Sequence, residues 1–214
     1  MTTPKKHAVI FDCDGVMFDS RQANINYYNF LLAQFDLPPM DETEIHYVHM
    51  HTASESVRHI FQGTPHIKDA DEFRMQMDYS PFVRDMVIEP GLKKLLRELK
   101  PDFGLAVATN RSNTIGEVLR VNGLDQYFDI VVSSLDVNHP KPHPESVFKI
   151  LDFFGIGPEA CVYVGDSKVD QDTCKAANVK LIAYKNRELE EYYNAVSMSD
   201  LSTMISSFLK KQPI

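Results

Sequence analysis

The chain has 214 residues, 43% of them hydrophobic and 24% charged, an ordinary globular composition long enough to bury a sizeable core. Its 22 basic and 30 acidic residues give a formal net charge of -8, which excludes the basic surface that sequence-independent binding of nucleic acid requires. No apolar run approaches the ~20 residues of a membrane span, and the run Ala8 to Phe11 is too short for a secretory leader, so the expected setting is the cytoplasm, with no membrane partner.

The first apolar run, HAVIF (7–11), reads as a buried strand that ends in Asp12-Cys13-Asp14-Gly15. A carboxylate taken from water without a partner is strongly penalised, so Asp12 and Asp14 must be exposed, protonated, paired or bound to a cation. Two apart in an extended chain, they point to the same side. Gly15 lets the backbone turn sharply and is expected to make room for a bound phosphate. From Asp19 to about Met86 no strand is expected. Helix starts recur instead: Asp19 or Ser20 before RQANINYYNFLLAQF, Asp41 with Glu44 three residues on, and Thr52 with Glu55 three residues on. Asp19 is read as the cap of the first helix and a hinge residue. The pattern predicts a helical insertion over 19–86 and a core domain made of 1–18 and 87–214.

Beyond the insertion, EPGLKKLLRELK opens an amphipathic helix, and four further apolar runs follow: GLAVAT (104–109), FDIVVSS (128–134), CVYVGD (161–166) and VKLIAY (179–184). Their lack of alternation marks strands buried on both faces, as in a parallel sheet. Helical patterns at NTIGEVLRV (113–121) and ESVFKILDFF (145–154) lie between them, and a last amphipathic helix is expected around Leu201 to Lys210. Strand alternating with helix predicts an α/β fold with a doubly wound, Rossmann-like parallel sheet. Cys13, Cys161 and Cys174 lack paired spacing and read as small buried residues.

Ligands of such sheets bind at the carboxyl ends of the strands. The polar clusters fall there: Asp12 and Asp14, then Thr109 and Asn110, then Lys141, then Asp166 and Asp170. Asp172 is read as projecting from a helix opened by Asp170. Three carboxylates at one rim need a cation between them, and oxygen ligands favour Mg2+. Lys141 would neutralise a transferring phosphate, Thr109 with the amide of Asn110 would fix its oxygens, and Asp12 would become an aspartyl phosphate.

The four motifs DCDGV (12–16), ATN (108–110), KPHPE (141–145) and GDSKVD (165–170), in this order, resemble those of the haloacid dehalogenase-like hydrolase superfamily over essentially the whole chain. The resemblance implies that Asp12 is the nucleophile, that Asp14 is the acid/base and holds Mg2+ through its carbonyl, that Thr109 binds phosphate, that Lys141 stabilises the transferred group, and that Asp166 and Asp170 hold the metal. It also implies that 19–86 is a cap domain. The second acid, Asp14, points to phosphoryl transfer and not to dehalogenation. The chain is similar to phosphoglycolate phosphatases and β-phosphoglucomutases. A Mg2+-dependent phosphatase acting on a small phosphorylated metabolite is therefore expected, with a sugar phosphomutase as the alternative. A Schiff-base role for Lys68 in phosphonate cleavage is disfavoured by its exposed-looking setting. A phospho-accepting receiver module would carry its Asp after the third strand, where this chain has Ser133 and Ser134.

Substrate choice is expected in the insertion, which holds five of the eight histidines, His46, His49, His51, His59 and His66. No carboxylate or cysteine completes a zinc pattern around HYVHMHTASES. The loop from His49 through His51 and Thr52 to Ser54 is expected to dip toward the core site. Arg58, Arg74 and Arg111 are candidates for binding a second anionic group.

Overall fold

The computed structural model describes residues 5–189 and 193–209. Strand β1 (Ala8–Phe11) has no side chain exposed, because Val9 and Phe11 enter one hydrophobic core while Ala8 and Ile10 enter a second on the opposite face. A continuous apolar run suits that two-sided burial. A short strand, β2 (Phe18–Asp19), follows.

Helices then take over: α1 (Arg21–Ala33), α2 (Glu42–Met50), α3 (Ala53–Ile60), α4 (Ile67–Gln76) and α5 (Ser80–Val83). Asp41 and Thr52 form reciprocal capping boxes with Glu44 and Glu55, as their spacing predicts. The chain returns through β3 (Val87–Ile88), antiparallel to β2, so a two-strand ribbon closes both ends of the helical segment. This ribbon was not expected. It also corrects the reading of Asp19, which lies in β2 and accepts from the Arg21 amide at 3.2 Å, while Ser20 takes the N-cap position of α1 without capping through its side chain. Its hydroxyl is engaged elsewhere, by Asp14.

The remaining elements alternate: α6 (Leu92–Leu99), β4 (Gly104–Ala108), α7 (Ile115–Val121), β5 (Ile130–Val132), α8 (Glu145–Phe154), β6 (Cys161–Gly165), α9 (Lys168–Ala177), β7 (Lys180–Tyr184), β8 (Asn194–Ala195) and α10 (Met198–Leu209). On α6, Leu92, Leu95, Leu96 and Leu99 form the buried stripe. The expected end of the last helix at Lys210 lies outside the described residues. All ladders of the six-stranded sheet are parallel, in the order β5-β4-β1-β6-β7-β8. Because Phe11 registers with both Val107 and Val164, the residues that follow β1, β4 and β6 emerge at one edge. Among the described residues no helix is long and apolar enough to cross a membrane. Cys13, Cys161 and Cys174 are all buried, and none of the three is in a disulfide.

Candidate active site

Asp12, the first residue beyond β1, is held by two donors at one oxygen. Its Oδ1 accepts from the Cys13 amide at 2.7 Å and lies 2.9 Å from Lys141 Nζ. Lys141 is itself buried and donates to Asp170 Oδ1 at 2.7 Å and to the Tyr163 hydroxyl at 3.0 Å. Tyr163 stands on β6 with its hydroxyl 3.0 Å from both Asp170 Oδ1 and the Ala108 carbonyl oxygen. Burial works against the lysine's charge, but Asp12 and Asp170 hold its pKa above the ordinary value. The loop carrying Lys141 is fixed by Asn110, whose side chain accepts from the Lys141 amide and donates to the Lys141 carbonyl, both at 3.1 Å. At the far end of that loop, Glu145 accepts from the amides of Asn138 and His139.

Asp166 and Asp170 follow β6, but in different roles. Asp170 is wholly buried, and its Oδ2 accepts from the Ser167 hydroxyl at 2.7 Å and from the Asp166 and Ser167 amides at 3.2 Å. It is the third residue of a capping box whose cap is Ser167, so Ser167 and not Asp170 opens α9. Asp172 sits on the exposed side of that helix, paired with Lys168 at 2.8 Å. The Asp166 carbonyl is held by the Asn186 side chain at 2.7 Å. Gly15 has φ +76°, a conformation that favours glycine, and a Cβ added there would lie 1.9 Å from Asp166 Oδ2. The space that Gly15 leaves is thus filled by the Asp166 carboxylate, which corrects the expectation that it serves the phosphate.

Ligating oxygens of Asp12, Asp166 and Asp170 lie within 4.8 Å of one another. Burial, then repulsion from Asp170, pushes the Asp12 carboxyl up to about 7 in spite of Lys141. Burial, then repulsion from Asp12 and Asp170, pushes Asp166 up to about 8. One lysine does not balance three converging carboxylates, and an all-oxygen donor set of this kind suits a hard divalent cation.

Asp14 is paired with a different cation. Arg111 clasps it with Nε to Oδ2 at 2.8 Å and Nη2 to Oδ1 at 2.7 Å, and Ser20 donates to the same Oδ1. Burial raises the Asp14 carboxyl, but Arg111 and Ser20 outweigh it and hold it below its ordinary range. Arg111 also donates to the Tyr79 hydroxyl at 3.0 Å. Thr109, buried after β4, accepts the Arg111 amide at 3.1 Å.

Asp12, Asp14, Thr109, Asn110, Arg111, Lys141 and Asp166 line one cavity of about 480 Å3 between the strand edge and the helical segment. Its far wall includes His46, His49 and His51. His49 Nδ1 lies 3.3 Å from the Asn24 amide, while Tyr47 stacks between His51 and His59 at centroid distances of 3.7 and 3.9 Å. Thr52, Arg58 and Arg74 are not brought to this cavity; they line a separate one of about 270 Å3. Thr52 is consumed in capping α3, and Arg74 is buried against Asp71 at 2.6 Å and Ser54 at 2.7 Å. Lys68 pairs with Glu72 on the exposed side of α4. Sequence reasoning passed over Ser20, Tyr163 and Asn186. Tyr163 stands three residues before Asp166 in an otherwise apolar strand, and that lone polar group was the available signal.

The sheet order, the acidic edge and the lysine behind it define a class. Residues 9–184 match the haloacid dehalogenase-like hydrolases, and the chain belongs to that family. Its fold superposes on a HAD-superfamily hydrolase of subfamily IA, variant 1, from Geobacter sulfurreducens with TM-score 0.82 and 36% identity, covering 93% of this chain and 99% of that one. The chain is also 27% identical to the pyrophosphatase PpaX of Oceanobacillus iheyensis, over 82% of this chain and 81% of that protein. It is 26% identical to the phosphoglycolate phosphatase of Colwellia psychrerythraea, over 84% of each.

Proposed function

We propose that this hydrolase is a Mg2+-dependent phosphatase that acts on a small phosphorylated metabolite through an aspartyl phosphate on Asp12. The observation that carries the reading is the Asp12 carboxylate at the end of β1, anchored by Cys13 and Lys141 and open to a cavity large enough for a small phosphate ester. Asp12 attacks phosphorus as the bond to the leaving oxygen breaks, and Asp14 gives that oxygen a proton. Asp14 then takes a proton from the water that attacks the acyl phosphate, which releases phosphate and restores Asp12. Lys141 spreads the charge of the transferring group. The Thr109 hydroxyl accepts the Arg111 amide, which leaves its own proton to donate to a phosphate oxygen. Asp12 and Asp166, with the Asp14 carbonyl and with Asp170 behind them, would hold Mg2+, which neutralises the approach of carboxylate to phosphate when bound. In this reading 19–86 is the cap that covers substrate, 1–18 and 87–214 are the catalytic core, and His49 and His51 face the leaving group.

Names of the relatives support phosphate release as the outcome. The test is phosphate release from p-nitrophenyl phosphate and a panel of phosphorylated metabolites, with and without a chelator. Hydrolysis abolished by chelation and by Asp12→Asn is expected; hydrolysis that survives both overturns the proposal. Conversion of a sugar 1-phosphate to its 6-phosphate isomer without phosphate release would instead identify a phosphomutase.

A further inference from the structure

We infer that Arg111 is the receptor for a second anionic group, a carboxylate or a second phosphate, on the leaving part of the substrate, and that Asp14 occupies its guanidinium until such a group arrives. The inference rests on the phosphatase reading above. Arg111 lines the same cavity as Asp12 and Lys141, with only 8% of its side chain exposed. Around its guanidinium, Tyr79, Thr114 and Asn24 offer neutral oxygens at 3.0, 3.4 and 3.4 Å, and Asp14 is the partner that carries charge. The fork of Nε and Nη2 that clasps Asp14 matches a planar carboxylate or two oxygens of a phosphate equally well. A substrate anion that takes this fork replaces one buried ion pair by another. A neutral leaving group has nothing to exchange and leaves Asp14 tied.

That exchange has a catalytic consequence. Arg111 and Ser20 together engage both Asp14 oxygens, so a carboxyl held in this way is not presented to the leaving oxygen. An anionic leaving part frees Asp14 from Arg111, and the freed carboxylate takes up a proton from solvent that it then gives to the leaving oxygen. Selectivity thus arises from the release of the acid/base as well as from attraction. Arg58 and Arg74, the other arginines considered for this role, line the separate smaller cavity.

The experiment compares kcat/KM for phosphoglycolate, inorganic pyrophosphate and 2-hydroxyethyl phosphate, the last carrying an alcohol where phosphoglycolate has its carboxylate. The wild type is expected to favour at least one anionic substrate by about 10- to 100-fold, the worth of a charge-assisted fork. Which of the two wins identifies carboxylate or phosphate as the group bound. Arg111→Met should erase the preference, chiefly through KM of the anionic substrate, and Arg111→Lys should keep part of it. Equal loss on all three substrates, or a wild-type preference for 2-hydroxyethyl phosphate, overturns the assignment of Arg111. If Arg111→Met fails to fold, an undiminished preference in Arg111→Lys overturns it as well. Phosphate release from none of the three, nor from p-nitrophenyl phosphate, overturns the phosphatase reading itself and this inference with it.

Discussion

Metal removal turns the carboxylate cluster into a pH-dependent liability whose size follows from the site. Asp12 is raised to about 7 and Asp166 to about 8 by burial and mutual repulsion, whereas both titrate near ~4 in an unfolded chain. Between these values the folded protein binds more protons than the unfolded one. The stabilising protonation is therefore fully present below ~4 and is lost as pH rises through about 7 for Asp12 and about 8 for Asp166. Each carboxyl contributes up to ~1.4 kcal/mol per pH unit. Discounted for the coupling between the two, the fall from about pH 5.5 to 7 is about 3 kcal/mol, which at ~2–4 °C per kcal/mol is about 6–12 °C in Tm. Asp14 is held low by Arg111 and Ser20 and stays ionised over this window, so it adds nothing to the slope. Thermal denaturation in chelator should show the decline, Asp166→Asn should roughly halve it, and Mg2+ should raise Tm more at about pH 7.5 than at about pH 5.5. A chelated protein whose Tm is flat or rises over this range, or a Mg2+ effect that ignores pH, refutes the reasoning.

Gly15→Ala places a Cβ 1.9 Å from Asp166 Oδ2 at φ +76°. It should lower kcat by ~10²-fold through displacement of Asp166, with loss of the Mg2+-dependent rise in Tm. Tyr163→Phe removes the hydroxyl that accepts from Lys141 and lies beside Asp170 and Ala108. The expected cost in urea denaturation is ~1–3 kcal/mol, with kcat reduced more than KM. Lys141→Met leaves Asp12 and Asp170 without their cation. A loss of ~3–5 kcal/mol in stability and of ~10²–10³-fold in kcat should follow, measured by denaturation and by phosphate release.

The sheet was legible because burial on both faces writes itself as continuous apolar runs, and each of the five runs proposed as strands became one. The ribbon of Phe18–Asp19 with Val87–Ile88 was not, because two-residue strands carry no period and their pairing joins distant segments. Strand β8 (Asn194–Ala195) was missed for the same reason. At the site, Asp12, Asp14, Thr109, Lys141 and Asp166 were read as neighbours from their places after strands, and they do share one cavity. Which partner each would choose was not readable. Ser20 carries the local signature of a helix cap, yet its hydroxyl goes to Asp14. Asp170 looks like an open metal ligand in GDSKVD, yet its oxygens are taken up by Lys141, Tyr163 and Ser167. Arg58 and Arg74 from the insertion and Arg111 from the core, directly after Thr109 and Asn110, were candidates for one role; the packing of α3 and α4 sends the first two to another cavity.

The central claim is that Asp12 carries the phosphoryl group, and trapping that group tests it most directly. Asp14→Asn, which lacks the base that activates water, is mixed with p-nitrophenyl phosphate and Mg2+, quenched in acid and reduced with borohydride, which converts an aspartyl phosphate to homoserine. The account predicts a burst of about one nitrophenolate per enzyme and homoserine at position 12. A phosphorylated residue elsewhere, or steady turnover without a burst and with Asp12 unmodified, would contradict it.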